Sequence, residues 1–279
     1  KIDECVSIDA VKRFIAEQDL KAETRYVPPV VIPASIHMDH FDEKIAIIGG
    51  GPAGLTAAFY LAEKGYRPTV FEKSEEPGGM LRYGIPSYKL QKDLLKAEID
   101  IIEEMGVEIK TGIEVGKDIT LAELREQGYQ AFYIAIGCAA GRRPNVPGDT
   151  AEGTTTAIEY LHDANCGGSE FTGRVVVVGG GNVAIDAARV SMRNGAAGVD
   201  MLCLESAEEM PASDQEIKEA KEDGVQIHCG WGPKEVLTKD GRVSGIVFKK
   251  CTSVKNAEGR FAPTYDEEGT FTLECARVV

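Results

Sequence analysis

Two short stretches of the sequence combine an apolar strand, three consecutive glycines and the start of a helix. Residues 44–58 read KIAIIGGGPAGLTAA, and residues 175–189 read VVVVGGGNVAIDAAR. Such a turn lets the backbone approach a pyrophosphate, while the helix N-terminus offers N–H groups and the positive end of its dipole. The sequence therefore predicts two dinucleotide sites in one chain.

The first glycine turn assigns a separate task to each of its glycines. Gly49 allows the tight turn from strand to helix, Gly51 lets the backbone approach a pyrophosphate, and Gly54 lets the helix pack closely on the strand. Glu72 ends the next apolar stretch, near the spacing expected for a carboxylate that binds the hydroxyls of an adenosine ribose. The structural alternative is a glycine turn in an α/β fold without a ligand. The predicted contacts of this first site are Gly49, Gly51, Pro52, Ala53, Gly54, Glu72 and Lys73.

The second glycine turn repeats this pattern with a different acid. Gly179 and Gly181 supply the tight turn and the close approach, and Ala184 holds the third small position. The next predicted strand, residues 199–205, ends in Glu205. A carboxylate there accepts hydrogen bonds from a 2′-hydroxyl but repels a 2′-phosphate. The predicted contacts of this second site are Gly179, Gly181, Asn182, Val183, Ala184 and Glu205.

The residues after Glu205 bear on the choice between NAD(H) and NADP(H). They read SAEEMPASDQE and bring acid but no Lys or Arg before Lys218. This composition favours NAD(H) over NADP(H) as the nucleotide of the second site. In the alternative interpretation Glu205 is a solvated strand end, and Arg189 or Arg193 meets a phosphate instead.

Two dinucleotide sites in one chain predict a redox relay. A nicotinamide passes a hydride to a second dinucleotide that carries its own redox ring, for which FAD is the natural candidate. Transfer between stacked rings needs little acid–base catalysis. The sequence therefore predicts residues that position the two cofactors and no catalytic side chain.

Composition limits the classes of partner. The 279 residues are 43% hydrophobic and 27% charged, which is ordinary for a soluble globular protein. The chain suffices for about two domains, and no apolar run approaches the roughly 20 residues that span a membrane. A formal net charge of −14 argues against nucleic acid or an anionic membrane as a partner.

Cysteine and histidine spacing points away from disulfide and metal chemistry. The seven cysteines lie far apart and form no CxxC pair, which fits a reducing cytoplasm. The missing CxxC also argues against a thioredoxin reductase, whose chemistry requires that redox pair. Cys138 is interpreted as a buried small apolar residue without an assigned role. We predict no metal site, because no ligand spacing relates the four histidines, His37, His40, His162 and His228.

Apolar periodicity outlines the first part of the chain. Residues 7–18, SIDAVKRFIAEQ, predict a helix with Ser7 as its N-cap. Residues 25–37 carry three prolines and predict an extended connector. From Lys44 the pattern indicates a βαβ unit around the first glycine turn, followed by a helix near residues 90–105.

Turn signals outline the last part. TKDGRV at residues 238–243 and KNAEGRF at residues 255–261 are hairpin signals, which indicate a small antiparallel meander. The closing residues, TFTLECARVV, read as one alternating strand. Because the chain begins with Lys and closes on this strand, we expect it to be a segment of a longer protein.

The residues after Glu72 make the pattern more specific. Residues 75–90 read EEPGGMLRYGIPSYKL, and together with GGGPAG, IAIG and EEMPAS they resemble the small-subunit family of glutamate synthase. That family includes the flavin and nicotinamide portion of dihydropyrimidine dehydrogenase and related NAD(P)H:acceptor oxidoreductases. The resemblance runs along essentially the whole chain, and its GGxLxxGIPxxxL segment is more discriminating than either glycine motif.

The resemblance implies further contacts with the flavin. Two glycines and the two residues after them would lie along the flavin, since glycine removes side chains where backbone approaches a flat ring. Two basic residues would lie near the flavin or its phosphates, with a solvated loop charge as the alternative. A later stretch would mark where the chain leaves the flavin domain. In this order, the implied residues are Gly78, Gly79, Met80 and Leu81, then Arg82 and Lys89, then Ala135, Ile136 and Gly137.

The resemblance also implies the fold and the domain order. We expect an α/β protein with two Rossmann-like dinucleotide-binding domains, the nicotinamide domain inserted in the flavin domain, and a small antiparallel β meander. Residues 1–43 would be an N-terminal helix and linker left from an iron–sulfur domain, residues 44–150 the first part of the FAD-binding domain, and residues 151–279 the NAD(P)H-binding domain. Cys5 alone cannot hold a cluster that needs about four thiolates. Iron–sulfur clusters are therefore expected only upstream.

These expectations combine into one functional hypothesis. The protein would be a flavoprotein oxidoreductase that passes a hydride from NADH to FAD and electrons on to an iron–sulfur centre or a larger partner subunit. One alternative is a non-catalytic sensor or scaffold that binds NAD(H) and FAD, although such a module would not need the GGMLRYGIP segment. The other is an NADPH-specific small subunit of glutamate synthase.

Overall fold

The computed structural model describes residues 6–33, 36, 39–168 and 171–279. The chain folds into two compact units. The first runs to Arg82 and resumes from Ser87 to Cys138, and the second contains Tyr83–Pro86 and Ala139–Val279. Each unit carries one of the two glycine turns.

The first unit is built on a four-stranded parallel sheet with the strand order β3-β2-β1-β4. β1 lies inside the sheet and its last four residues are buried, which is why it reads as a continuous apolar run. Ala58 and Ala62 are fully buried and let α2 approach the sheet closely. The elements of this part of the chain are α1 (Ile8–Leu20), β1 (Lys44–Ile48), α2 (Pro52–Glu63), β2 (Thr69–Phe71), α3 (Met80–Tyr83), α4 (Lys92–Glu104), β3 (Glu108–Lys110), α5 (Leu121–Glu126) and β4 (Tyr129–Ile134).

The second unit combines a parallel sheet with the strand order β11-β5-β6-β7 and an antiparallel sheet with the order β10-β9-β8. One face of the parallel sheet packs against small residues of α7, and the other packs against Ile246 and Phe248 of the antiparallel sheet. The elements of this unit are α6 (Ala157–Asn165), β5 (Arg174–Val178), α7 (Asn182–Arg193), β6 (Gly198–Cys203), α8 (Asp214–Glu222), β7 (Gln226–Cys229), β8 (Trp231–Lys239), β9 (Arg242–Lys255), β10 (Phe261–Glu274) and β11 (Arg277–Val278).

A buried arginine joins α7 to α8. Arg189 is 5% exposed. Its Nε lies 2.8 Å from Asp223 Oδ2, its Nη1 contacts Glu219, and Glu216 lies 3.7 Å from the same nitrogen. Because an arginine in such a setting must be paired, these carboxylates fix how α8 lies on α7.

The predicted fold class is confirmed: two parallel α/β sheets each carry a glycine turn, and the predicted meander is the antiparallel sheet. Both predicted hairpins are present, with Asp240 and Gly241 at positive φ between β8 and β9. The insertion of one domain in the other and the domain boundaries at residues 43 and 150 stay predictions.

Ser7 is the N-cap residue of α1, as predicted, although its side chain makes no capping hydrogen bond. The expectation of a single closing strand was wrong. The closing residues do not form one strand: β10 ends at Glu274, and Arg277 and Val278 pair with β5 in the parallel sheet. The chain turns at Cys275, because Val278 and Val279 are apolar enough to be buried there. In the described part of the chain, no helix has the length and apolar character required to cross a bilayer.

Replacing Arg189 with methionine is expected to lower the unfolding free energy of the α7–α8 pair by about 3 kcal/mol, because three carboxylates lose their common cation. Hydrogen exchange at the amides of the two helices, read by mass spectrometry, measures this change. Arg193→Met is the matched control: Arg193 contacts the same Asp223 but its side chain is 45% exposed, so the expected cost is below about 1 kcal/mol. Equal losses of unfolding free energy in the two variants would contradict the conclusion that Arg189 joins α7 to α8.

Candidate dinucleotide-binding sites

The first glycine turn requires glycine at two positions for the fold itself. Gly49 has a φ of +108°, and a Cβ there would lie 2.4 Å from the carbonyl oxygen of Ala135. A Cβ at Gly54 would lie 1.9 Å from the carbonyl oxygen of Gly49. Both distances are far below van der Waals contact, so these glycines set the tight turn and the close packing of α2.

Gly51 is different, because nothing in the first unit crowds it. Its φ is −81°, and the heavy atom nearest to a Cβ there would be the Gly79 Cα at 3.8 Å. The fold would therefore accept a side chain at this position. Pro52 and Ala53 follow as the first, exposed residues of α2. Open space in front of a helix N-terminus fits a phosphate group that approaches the backbone.

Glu72 is held firmly at the end of β2. The residue is 6% exposed. Its Oε2 accepts a hydrogen bond from the Gly50 N–H at 2.7 Å, and its Oε1 accepts one from the Ser74 N–H at 2.8 Å. A carboxylate has about four acceptor positions, so each oxygen retains capacity for a ribose hydroxyl. Lys73 follows as an exposed residue.

The segment that carries Gly78 and Gly79 folds back onto the first glycine turn. The Gly78 N–H donates to the Gly50 carbonyl oxygen at 2.7 Å. Gly79 has a φ of +52°, and a Cβ there would lie 2.8 Å from the Gly51 Cα. The two glycine-rich stretches that sequence reasoning treated separately therefore form one surface.

The residues after this glycine pair form the short helix α3. Met80 is 36% exposed, and Leu81 is partly buried. Arg82 forms an ion pair with Glu76. Lys92 Nζ donates to the Leu81 carbonyl oxygen at 3.0 Å, and partial burial, followed by the nearby Arg82 guanidinium, lowers the pKa of Lys92.

The stretch after β4 passes close to the first turn and then becomes exposed. The Ala135 N–H donates to the Ile48 carbonyl oxygen at 2.8 Å. Ile136 is 71% exposed, and Gly137 has a φ of +66°. Cys138 is also exposed, so its interpretation as a buried apolar residue was wrong: it follows the exposed end of the segment after β4. Lys89, near the end of residues 75–90, is partly buried.

The second glycine turn is less crowded than the first. Gly179 has a φ of +149°. A Cβ there would lie 3.3 Å from the Ala184 Cβ, a tight contact that a small shift would relieve. A Cβ at Gly181 would meet nothing within 4 Å. Val183 is 52% exposed at the start of α7. As in the first unit, the central approach position is open to an anion.

Asn182 uses its side chain within the protein. Its Oδ1 accepts a hydrogen bond from the Ser213 N–H at 3.0 Å. Ser213 in turn is the N-cap of α8 and accepts from the Glu216 N–H at 3.4 Å. The first residue of α7 thus fixes the segment that begins α8.

Glu205 stands beside the middle glycine of the second turn. A Cβ at Gly180 would lie 3.0 Å from Glu205 Oε2, and the Gly180 carbonyl oxygen accepts from the Ala212 N–H at 3.0 Å. The first unit has the same plan, with Gly50 beside Glu72 and bonded to a later segment. In both units, the segment after the acid returns to the glycine turn.

The alternative role for Arg189 or Arg193 finds no support in this geometry. Both guanidinium groups bind Asp223, directly after α8, and the buried Arg189 also binds Glu219 within that helix. A 2′- or 5′-phosphate would have to displace these carboxylates. A different cation lies closer to the Glu205 backbone: Lys250 Nζ is 3.7 Å from a Cβ position at Gly230, whose N–H donates to the Glu205 carbonyl oxygen at 2.9 Å.

Three of the four histidines are described, and each has a partner other than a metal. His40 lies 3.3 Å from Asp42, and His162 stacks on Tyr83 with 4.8 Å between ring centroids. His228 lies 2.9 Å from Asp200. His37 and Cys5 lie outside the described residues. Across the described ranges, no group of three or more His, Cys, Asp or Glu side chains could hold a metal ion.

Sequence reasoning missed the groups that hold each acid and glycine turn in place. Ser74 and Ala212 act through backbone N–H groups, which any residue except proline provides. A signal was nevertheless present: EEPGG and EEMPA follow the two acids at similar distances. Lys92 and Lys250 were missed because neither lies in a motif: Lys92 reaches the Leu81 carbonyl oxygen from α4, and Lys250 approaches Gly230 from β9.

The fold and the two turns define a class: an α/β oxidoreductase chain with two dinucleotide-type sites. A family profile described as pyridine nucleotide-disulphide oxidoreductase matches residues 43–262. The chain belongs to this family of FAD- and NAD(P)H-dependent oxidoreductases.

Several relatives confirm the resemblance to the small chain of glutamate synthase. The NADPH glutamate synthase small chain of Halomonas elongata is 38% identical over 270 residues, with coverage of 92% of this chain and 55% of the relative. The beta subunit of the NADP(+)-dependent formate dehydrogenase of Moorella thermoacetica is 36% identical over 304 residues, covering 100% of this chain and 42% of the relative. The NADPH-Fe(3+) oxidoreductase subunit beta of Geobacter sulfurreducens is 38% identical over 246 residues, covering 85% and 36%.

Solved structures support the fold. FprA of Mycobacterium tuberculosis in complex with NADPH has a TM-score of 0.72 at 18% identity, covering 85% of this chain and 69% of FprA. Lactococcus lactis thioredoxin reductase has a TM-score of 0.61 at 19% identity, covering 85% of this chain and 76% of the reductase. At such identities the likeness concerns the fold alone.

Gly51→Ala and Gly54→Ala are expected to separate ligand approach from folding in the full-length protein. Gly51→Ala has room in the first unit, so its thermal unfolding without flavin should match the parent while its retained FAD falls at least about tenfold. Gly54→Ala should lower stability itself, because its Cβ overlaps the Gly49 carbonyl. Flavin absorbance after desalting and a melting curve of the stripped protein measure both. Full flavin retention by Gly51→Ala would contradict the predicted approach.

Proposed function

We propose that the protein is a flavoprotein oxidoreductase subunit that takes a hydride from NADH onto FAD and passes electrons to an iron–sulfur centre or a partner subunit. The observation that carries this proposal is the repeated site: each unit has a glycine turn with an open approach position and a buried or half-buried acid beside the middle glycine. One site serves a nicotinamide donor and the other serves the flavin.

The residues of the first unit fit FAD. Gly51 leaves space for a pyrophosphate at the start of α2, and Glu72 presents a fixed carboxylate to an adenosine ribose. Gly78 and Gly79 present backbone without side chains next to this turn. We propose that the contacts to FAD are Gly49, Gly51, Pro52, Ala53, Gly54, Glu72, Lys73, Gly78, Gly79, Met80, Leu81, Arg82, Ala135 and Gly137.

The protein's part in this reaction is binding and orientation. When bound, FAD supplies the capacity to accept a hydride and to release electrons singly. The two glycine turns anchor the pyrophosphates, and the two acids anchor the adenosine riboses, so that the redox ends of both nucleotides are positioned by their remote parts. No side chain of the described residues is assigned a proton-transfer step.

Glu205 supports NADH as the donor at the second site, since a carboxylate attracts a 2′-hydroxyl and repels a 2′-phosphate. The proposed contacts are Gly179, Gly181, Asn182, Val183, Ala184 and Glu205. For Asn182 the contact is through its backbone, because its side chain holds Ser213.

NADPH is the second candidate donor, and two observations favour it. Relatives are named as NADPH or NADP(+) enzymes. Lys250, whose Nζ lies near Gly230 and 5.1 Å from the Trp231 ring centroid, brings a cation close to the backbone of Glu205. A cation there could neutralise a 2′-phosphate.

The proposed acceptor is a group beyond the residues described. The chain spans 36% to 55% of the length of the three curated relatives named above. Those relatives are named as subunits or chains of larger enzymes. We propose that this protein delivers its electrons to a partner subunit, and that the iron–sulfur clusters belong to another part of the assembly.

An anaerobic titration of the full-length, flavin-loaded protein tests the relay. NADH is expected to bleach the oxidised-flavin absorbance, with half-maximal bleaching at a concentration at least about tenfold below that of NADPH. Bleaching by NADPH at the lower concentration would favour the second candidate donor. If neither nucleotide bleaches a bound flavin, the relay is wrong and the protein is a nucleotide-binding sensor or scaffold.

Glu205→Gln and Lys250→Gln distinguish the two donors. If NADH is the donor, Glu205→Gln weakens NADH binding about tenfold or more, as expected for a lost charge-assisted hydrogen bond, and Lys250→Gln changes it little. If NADPH is the donor, Lys250→Gln weakens NADPH binding instead. Lys249→Gln is the matched control, because Lys249 Nζ binds Glu267 at 3.0 Å and lies over Tyr265. Both dissociation constants come from stopped-flow flavin bleaching.

A further inference from the structure

Two cysteines end neighbouring strands of the second unit at the same level. Cys203 is the last residue of β6 and Cys229 the last residue of β7, and the two are register partners in the parallel sheet. Adjacent strands lie about 4.8 Å apart, and disulfides join Cα atoms that are about 4.4–6.8 Å apart. The backbone therefore holds two thiols within reach of a bond.

Cys203 of this pair lies against the second glycine turn. A Cβ at Gly180 would lie 2.9 Å from the Cys203 Cβ. The Glu205 carbonyl oxygen accepts from Cys203 Sγ at 3.7 Å and from the Gly230 N–H at 2.9 Å. Gly230 directly follows Cys229, so both strand ends are tied to Glu205.

The two thiols differ in access. Cys203 is 2% exposed, and burial, followed by the neighbouring Cys229 thiol, raises the pKa of Cys203 to about 12. Cys229 is only partly buried. An oxidant therefore meets Cys229 first, and Cys203 serves as the resolving thiol.

We propose that Cys203 and Cys229 form a redox-responsive dithiol whose oxidation by a low-molecular-weight disulfide weakens nicotinamide-nucleotide binding at the second glycine turn. The proposal rests on the proposed function, since it assigns that turn to the nicotinamide donor.

The chemical step is thiol–disulfide exchange with glutathione disulfide as the oxidant. The Cys229 thiolate attacks one glutathione sulfur and releases one glutathione thiolate. The Cys203 thiolate then attacks Cys229 Sγ, and the second glutathione leaves. Two protein thiols lose two electrons and two protons, and one glutathione disulfide becomes two glutathione molecules. Because burial raises the pKa of the resolving Cys203 thiol and keeps it largely protonated at neutral pH, equilibration should take hours.

The coupling to nucleotide binding follows from the contacts of Glu205. Oxidised Cys203 has no S–H and loses its hydrogen bond to the Glu205 carbonyl oxygen. Drawing Cys203 toward Cys229 also moves the atom that lies against Gly180. Both the acid and the glycine turn therefore change position together, and the arrangement that fits a ribose and a pyrophosphate exists only with the thiols reduced.

The test equilibrates the full-length protein in anaerobic glutathione buffers of graded redox ratio. Tryptic mass spectrometry after alkylation measures the fraction with the Cys203–Cys229 disulfide, and calorimetry measures the dissociation constants of NAD⁺ and NADP⁺. The oxidised protein is expected to bind the preferred nucleotide at least about fivefold more weakly. By linkage, saturating nucleotide must shift the disulfide equilibrium by the same factor in the reducing direction.

Two variants control this experiment. Cys229→Ser removes the first thiol and should bind nucleotide with the same affinity at every glutathione ratio. Cys251→Ser should keep the full redox response. Cys251 is a fair comparison because it is also buried, and burial together with the nearby Glu205 charge raises the pKa of its thiol. A redox response that survives in Cys229→Ser would overturn the assignment of the dithiol.

The remaining outcomes separate the two proposals. If the disulfide forms and nucleotide affinity is unchanged, the coupling is overturned and the proposed function is untouched. If no disulfide between these cysteines is detected at any ratio, the dithiol is overturned. If the reduced protein binds neither nucleotide, the proposed function fails and the coupling fails with it.

Discussion

The structure depends above all on how closely two backbone segments approach each other at a turn from strand to helix. In the first unit, a methyl group at Gly54 would lie 1.9 Å from the Gly49 carbonyl oxygen. No rearrangement of side chains relieves such a clash, because both partners are main chain. The position of α2 on the sheet, the direction of its N-terminus and the location of Gly51 all follow from this one contact.

The two units form the same turn from strand to helix but differ in the space available at its third small residue. Ala184 occupies in the second unit the place that Gly54 occupies in the first, and its Cβ fits at 3.3 Å from a Cβ position at Gly179. The second unit therefore accommodates a methyl group at the position where the first unit has no room for one. In both units the middle glycine is secured by a later segment, through Gly78 in one and Ala212 in the other. The repeated plan explains why one chain can carry two related sites.

Much of this arrangement could be predicted from the sequence, and the rest could not for definable reasons. The glycine turns and the acids after β2 and β6 have fixed spacing and residue types, so a pattern indicates them. Ser74 and Ala212 contribute only backbone N–H groups, which leave no residue-type signal. Ser7 stands at the N-cap of α1 as its residue type indicates, but residue type alone does not orient its hydroxyl, which makes no capping hydrogen bond. Thr120 and Thr156 do form capping boxes, and each has its Glu three residues later.

The two hydrogen bonds that the Glu72 carboxylate accepts have an entropic consequence. A glutamate side chain gives up about 1.5–2 kcal/mol of rotamer freedom when it is ordered. Here hydrogen bonds from Gly50 and Ser74 order it during folding. A ribose that meets this carboxylate therefore finds an acceptor already in one conformation, and its hydroxyls add to a preorganised group without a further ordering cost.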